Sequence, residues 1–227
     1  MKLSIILPAR NEETLIRETL RDTVSFLQKR KISGYEILVI INGTTDSTKR
    51  IVSEMSFKNK NIRMLKSKPG YGLAIRKGFR EANGDYIAIF NVDFYDLKML
   101  DLVNIDLYGK DLIIGSKMTH WSEDKRPVIR RLVSKLFNLY LKIVYRFKGS
   151  DTHGIKVMKK NVADRVLPRC KTDSGIFDTE FVLRAQKFGF KIADFAVAVR
   201  EKRSPRFNQR ILQTLLDIWK LYKALNG

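Results

Sequence analysis

Residues 84–96 read GDYIAIFNVDFYD, an apolar run ending in a short acidic cluster. Residues 86–90 have the composition of a parallel strand buried on both faces, which shows continuous rather than alternating apolar character. In open α/β sheets, ligands bind beyond the carboxyl ends of such strands. Asp93 and Asp96 therefore stand where a hard divalent cation, Mg²⁺ or Mn²⁺, and substrate phosphates would sit. The same acids could instead cap a helix or solvate a loop.

The neighbouring segments extend this pattern. Residues 3–7, 37–41, 62–65 and 112–114 are further short apolar runs, and the stretches between them have helical periodicity. Ile16, Leu20, Val24 and Leu27 mark one face of the first helix, with Asn11 as its expected N-cap. The expected fold is α/β: a doubly wound, mostly parallel sheet flanked by helices. No internal repeat or low-complexity linker interrupts it. At 227 residues the chain is expected to form one domain, with residues 1–116 as a nucleotide-binding half and 117–227 as an acceptor-binding half.

Charge narrows the partners. Lys and Arg number 44 against 24 Asp and Glu, a formal net charge of +20, so acidic partners are expected: nucleic acid, anionic lipid or phosphorylated substrates. No nucleic-acid-binding motif or stacked aromatic platform accompanies the charge, which argues against nucleic acid. Cys170 is the only cysteine, which excludes an intramolecular disulfide and a Cys-rich zinc site. No signal-peptide pattern opens the sequence and no apolar run reaches the length of a bilayer span. The expected location is the cytoplasm, either free or peripheral on the cytosolic membrane face.

The second half has a different texture. Residues 117–148 carry nine Lys or Arg against two acids. Within 132–147 the chain is mostly apolar, and Arg131, Lys135, Asn138, Lys142 and Arg146 fall at helical spacing. Such a helix suits an anionic membrane interface, or else a core helix whose basic stripe faces water. A second amphipathic helix carries Ile211, Leu212, Leu215, Leu216, Trp219, Tyr222 and Leu225, flanked by Arg210, Lys220 and Lys223. It either docks on its own domain or anchors at an interface.

Taken in order, LSIILPARNEE, INGTTDST, KPGYGLAIRKGFREANGDYIAIFNVDFYD, LIIGSK, RRLVSKLFN, SDTHGIKVM and FDTEFVLRAQKFGFKI resemble the family 2 glycosyltransferases of GT-A fold. They are most similar to the polyprenyl-phosphate sugar synthases, the group that includes dolichyl-phosphate mannose synthase. That resemblance implies transfer of a sugar, with inversion, from a nucleotide sugar (GDP-mannose or a UDP-sugar) to a polyprenyl phosphate. It also implies a nucleotide pocket from Pro8, Arg10 and Glu12 with Ile40 and Asn42, the last in place of the family's usual Asp. Asp46 reads as a helix cap. The family's metal motif, Asp, small residue, Asp, Leu, Gln, is here Asn91, Val92, Asp93, Phe94 and Tyr95. By this match Asp93 is the principal metal ligand, with Asn91 and Tyr95 beside it; the altered motif also fits the alternative of a degenerate basic binding module on the same fold.

Lys117, Arg200 and Arg206 match family positions that contact donor phosphates, and Arg131 resembles an acceptor-phosphate contact. A hydroxyl acceptor needs a positioned general base, whereas a phosphate monoester is already ionised at neutral pH. Asp178 and Glu180 are the base candidates for the hydroxyl case; they could equally orient a helix or pair with Arg184. His120 and His153 are too isolated to suggest a metal pair, and His153 reads as part of a DTHG turn beside Asp151.

Overall fold

The computed structural model describes residues 2–116, 128–197 and 208–226. Seven strands form one sheet: β1 (Leu3–Ala9), β2 (Tyr35–Ile41), β3 (Ile62–Lys66), β4 (Tyr86–Ile89), β5 (Leu112–Ser116), β6 (Lys156–Lys159) and β7 (Ile192–Ala196). Their order is β3-β2-β1-β4-β6-β5-β7. β1 pairs in parallel with β2 and β4, β2 with β3, and β5 with β7. β6 alone runs antiparallel, between β4 and β5. A strand from the second half of the chain thus completes the sheet begun by the first.

Both faces of the sheet are covered, which is why β1 and β2 are buried at every position. Leu3, Ile5 and Leu7 of β1 join Ile37 and Val39 of β2 on one face, under α1 (Ile16–Lys29) and α2 (Thr48–Lys58). Ile6, Leu38 and Ile40 point to the other face. There they meet α3 (Tyr71–Glu81), α5 (Lys160–Val166) and α6 (Phe177–Lys187). Two longer helices, α4 (Val128–Tyr145) and α7 (Asn208–Asn226), pack on this second side through Leu141 and Leu221.

The expected strands are present, and so is the mostly parallel sheet. β6 and β7 are additions: β6 is only four residues long and includes two lysines, so its composition carries little strand signal. Between β4 and β5 the chain forms a 3₁₀ segment, Leu97–Gly109. It ends in a left-handed turn at Asp106, Leu107 and Tyr108, braced by bonds to Asp106 from the Tyr86 hydroxyl and Lys159.

Candidate active site at the carboxyl edge of the sheet

The parallel strands deliver residues 10–13, 42–48, 67–70 and 90–96 to one edge, and the reversed β6 brings its start, Lys156, to the same edge opposite Ile89. The first two loops are knitted together. Asn11 adopts a left-handed conformation (φ 56°), and its Oδ1 accepts the Thr45 backbone N–H at 2.9 Å. The Glu12 N–H donates to Thr48 Oγ1 at 2.7 Å, and the Ser47 N–H donates to Glu13 Oε2 at 2.9 Å. Asn11 therefore does not cap α1. That helix begins at Ile16, whose N–H donates to the Glu12 carbonyl, and Asn11 lies too far upstream to reach its first turn.

Asp46 caps α2 as expected: its Oδ1 accepts the Thr48 N–H at 2.9 Å, and its Oδ2 accepts the Glu13 N–H at 3.1 Å. Partial burial raises its pKa, but the bonds from Thr48, Glu13 and Thr44 outweigh this and bring it to about 2. The hydroxyl-rich INGTTDST segment is thus a clasp between two loops.

Asn42 is buried, and its N–H donates to the Ala9 carbonyl at 3.1 Å. Its Oδ1 is buried with no hydrogen-bond partner among the described residues. An unsatisfied buried acceptor costs about 1–3 kcal/mol, so this oxygen favours a donor from outside the described residues. Gly43 (φ 77°) keeps the third loop close, because a Cβ there would lie 2.7 Å from Pro69 Cγ. Pro8 and Glu12 are buried and Arg10 is exposed at the mouth of this pocket. Ile40 contributes only backbone here; its side chain packs in the core with Ala74 and Ile75 of α3.

Beyond β4 the chain turns tightly, with the Asn91 N–H donating to the Phe94 carbonyl at 3.1 Å. Val92 and Phe94 are buried, and the Val92 carbonyl accepts Thr19 Oγ1 at 2.8 Å. This anchoring leaves Asp93, between two buried neighbours, partly accessible at the sheet edge. Asp96 accepts the Lys98 N–H at 3.1 Å and caps the 3₁₀ segment.

Tyr95 departs from the expectation of a metal ligand. Its hydroxyl donates to Asp22 of α1 at 2.7 Å. Burial, then this bond, raises its pKa far above the usual phenol value, so it stays a neutral phenol committed to α1. Among the described residues no three His, Cys, Asp or Glu side chains converge as a metal cage. One carboxylate, Asp93, with the Asn91 amide suits a Mg²⁺- or Mn²⁺-type ion that takes most of its remaining ligands from phosphate and water.

On the opposite wall Glu180 takes the expected alternative of pairing with Arg184, whereas Lys156 and Tyr71 were not anticipated. Lys156 is fully buried, donating to the Gly154 carbonyl at 2.6 Å and pairing with Asp178 Oδ1 at 3.1 Å. The other oxygen of Asp178 accepts the Tyr71 hydroxyl at 3.1 Å. Glu180 is also fully buried. Its Oε1 accepts the Lys171 N–H and Arg184 Nε, both at 2.8 Å, and its Oε2 accepts Thr172 N–H and Oγ1 at 2.8 and 2.7 Å. Composition flags neither Tyr71 nor Lys156, because aromatic and lysine side chains are usually core or surface; only their place inside KPGYG and THGIKVM marks them.

His153 forms the anticipated turn, its N–H donating to Asp151 Oδ1 at 3.0 Å. The ring lies 3.3 Å from Thr152 Oγ1 and faces Phe137 of α4. The residue is exposed at the protein surface, with Phe137 and Thr152 against its ring. That desolvation lowers its pKa, against the opposing pull of Asp178 and Asp151.

Arg131 is exposed near the start of α4. Along the same helix Val128, Leu132, Leu136, Leu139 and Ile143 are all exposed, with Leu136 at 57% and Ile143 at 70%. α4 is therefore not a core helix showing only its basic stripe to water: its apolar stripe also faces out, beside Arg131, Lys135 and Lys142. Asn138 departs from the basic stripe; it is buried and donates to the Ser150 carbonyl. On α7, Leu221 and Ala224 are buried while Leu216, Trp219 and Tyr222 are exposed. The side chains of Ile211, Leu212 and Leu215, and the whole of Lys117, His120, Arg200 and Arg206, lie outside the described residues. No helix is long and apolar enough to cross a membrane among the described residues.

Comparison with known proteins places this edge in context. The chain is 29% identical over 213 residues to a dolichyl-phosphate beta-glucosyltransferase of Dictyostelium discoideum, covering 86% of this chain and 65% of that protein. It is 29% identical over 207 residues to glycosyltransferase AglD of Haloferax volcanii (87% and 33%). The dolichyl-phosphate beta-glucosyltransferase of Saccharomyces cerevisiae is 26% identical over 223 residues (88% and 67%). The chain thus spans about two thirds or less of the length of these relatives.

Among solved structures, glucosyl-3-phosphoglycerate synthase from Mycobacterium tuberculosis, in complex with Mn²⁺, UDP-glucose and phosphoglyceric acid, superposes with a TM-score of 0.70. It shares 17% identity, over 98% of this chain and 79% of that one. The mannosyltransferase PcManGT from Pyrobaculum calidifontis, in complex with GDP-Man and Mn²⁺, gives 0.65 at 16% identity (100% and 64%). These likenesses show the GT-A fold. The family model described as Glycosyl transferase family 2 matches residues 4–166, and the chain belongs to that family.

Proposed function

We propose that the protein transfers a sugar from a nucleotide sugar to a polyprenyl phosphate at a membrane surface. The observation that carries this reading is the commitment of both candidate bases. Asp178 is ion-paired with Lys156 through one oxygen and accepts the Tyr71 hydroxyl with the other, and Glu180 accepts four hydrogen bonds. A hydroxyl acceptor requires a carboxylate turned toward its proton; an ionised phosphate oxygen attacks without one. The names of the dolichyl-phosphate relatives support the same acceptor class and favour glucose over mannose as the sugar.

In this reading Asn42 Oδ1 accepts an N–H of the donor base, and Pro8, Arg10 and Glu12 shape the rest of the nucleotide pocket. Asp93, with Asn91, holds a divalent cation, which when bound offsets the charge developing on the nucleoside diphosphate. Lys117, Arg200 and Arg206 add positive charge around the same diphosphate. Arg131 grips the acceptor phosphate, for which a guanidinium offers two parallel bonds. The acceptor oxygen forms the new bond to the anomeric carbon as the bond to the diphosphate oxygen breaks on the opposite side, inverting the configuration. The exposed apolar stripe of α4, flanked by cations, rests on an anionic bilayer and brings the lipid acceptor within reach.

The test is to offer the protein labelled nucleotide sugars with polyprenyl phosphate in anionic and in neutral liposomes, and to follow label into the organic phase. Label recovered as lipid-linked sugar, faster on anionic liposomes, is the expected result. Absence of lipid-linked label with every donor overturns the reading.

A further inference from the structure

α3 carries the cations Arg76, Lys77 and Arg80, and they are differently occupied. Arg76 is spent on the 170–173 loop: its Nη2 donates to the Cys170 and Thr172 carbonyls at 2.6 and 3.0 Å, and its Nε donates to Asp173 Oδ1 at 2.7 Å. Lys77 pairs with Glu81 at 2.7 Å. Arg80, one turn beyond Arg76, is exposed and has no ion-pair partner among the described residues. Across from it Lys171 is exposed as well. Its backbone N–H donates to Glu180, and its ammonium has no carboxylate partner among the described residues.

Arg80 and Lys171 line one depression of ≈ 300 Å³, together with Leu73, Arg76, Lys77 and Asp173. Asp173 is the only acid among these, and it is ion-paired with Arg76. A second depression, of ≈ 390 Å³, adjoins the first at Arg76 and Arg80 and reaches Lys160, which is paired with Asp164 at 2.7 Å. Arg76 and Arg80 are four positions apart on one helix, a spacing at which like charges oppose each other. Lys171 adds a third positive charge from the facing loop. An anion placed among them relieves that repulsion.

The two unpaired cations stand on fixed backbones. Next to Arg80, Phe79 stacks on Phe181 of α6 with ring centroids 5.1 Å apart. Next to Lys171, the Thr172 N–H and hydroxyl both donate to Glu180, and the Gly72 N–H ties α3 to the Asp173 carbonyl at 3.1 Å. Such a frame lowers the ordering cost of binding. Arg80 can offer a phosphate two parallel N–H donors, and Lys171 supplies a point charge from the other side.

We propose that this depression is a binding site for a phosphate monoester, gripped by Arg80 and Lys171 with Arg76 behind them. A monoester is favoured over a diester because it carries close to two charges at neutral pH, one for each unpaired cation. Arg80 lies roughly 13 Å along α3 from Tyr71, which bonds to Asp178 at the candidate active site. The site is therefore separate from the donor pocket and does not depend on the function proposed above. Free phosphate and the headgroup of phosphatidic acid share the required chemistry.

The test counts bound inorganic phosphate by equilibrium dialysis at fixed ionic strength, well above the second phosphate pKa of about 6. Arg80→Gln combined with Lys171→Gln should hold one phosphate fewer per chain than the parent. Arg80→Lys keeps the charge but loses the fork, and should weaken that phosphate severalfold. Lys29→Gln with Lys60→Gln makes the same charge change at exposed positions elsewhere and should leave the count as it is. Nucleotide-sugar affinity by calorimetry should be equal in all of these proteins.

Vesicles of phosphatidic acid and of phosphatidylglycerol, matched in surface charge, separate the sources. Tighter parent binding to phosphatidic acid that the double variant loses supports the headgroup as the ligand. Equal binding to both vesicles, with the dialysis difference intact, supports free phosphate. A phosphate count that the double variant leaves unchanged, or that the control pair lowers equally, overturns the site. Loss of nucleotide-sugar affinity in the double variant also overturns it, by placing that phosphate in the donor pocket.

Discussion

The two walls of the sheet edge are held together by different chemistry. On the wall proposed to take the nucleotide, Asn11, Glu13, Asp46 and Thr48 knit two adjacent loops through amide, carboxylate and hydroxyl bonds, and one amide oxygen, on Asn42, has no partner among the described residues. On the far side the fixed points are buried ions: Lys156 with Asp178, and Glu180 with Arg184. A wall built of loop-to-loop hydrogen bonds fits the proposed base and ribose. A wall whose carboxylates are all engaged, with accessible cations and an exposed apolar helix beside it, suits an anion on a lipid tail.

This contrast can be broken most forcefully on the ionic wall. Glu180→Gln leaves the buried donors of Arg184, Lys171 and Thr172 poorly matched, and is expected to cost about 3–5 kcal/mol of stability, measured by chemical denaturation. Asp93→Ala tests the other wall's chemistry: turnover should fall on the order of 10²-fold over a metal titration, with the unfolding midpoint unchanged. Wild-type turnover in that variant would remove Asp93 from the metal site.

Smaller effects sharpen the nucleotide side. Asn42→Leu removes an acceptor that has no partner among the described residues, so stability should hold while nucleotide affinity by calorimetry falls by about 1–2 kcal/mol. Asp46, whose pKa is lowered to about 2 from a reference of 3.8, gives the smallest signal. Its contribution is fully present above the unfolded value and is lost as pH falls through about 2. Asp46→Asn should therefore flatten the pH dependence of the denaturation midpoint between those values, and a slope equal to that of the parent would discard the clasp.

Much of this was legible in the sequence because it rests on local pattern. Continuous apolar runs announced strands buried on both faces, and the parallel order then placed residues 10–13, 42–48 and 90–96 together. Asp46 as a cap and the DTHG turn were readable for the same reason. Asn11 was misread because a clasp to Thr45, distant in sequence, competes with helix capping for the same side-chain oxygen. Tyr95 looked like a motif position, yet its neighbour across space is Asp22. The ion pair of Lys156 with Asp178 was invisible, since a buried lysine is recognised only once its partner 22 positions away is brought beside it. α4 showed its amphipathic character in sequence, but which face is covered depends on the helices beneath it.

The most direct measurement compares two acceptors with one tail: a polyprenyl phosphate and the corresponding polyprenyl alcohol, each with the same labelled nucleotide sugar. They differ only in whether attack on the anomeric carbon needs a protein base. With Asp178 and Glu180 both engaged, label should pass to the phosphate and not to the alcohol across neutral pH. Transfer to the alcohol at a comparable rate would show that a carboxylate is free to act as base, and would contradict the account.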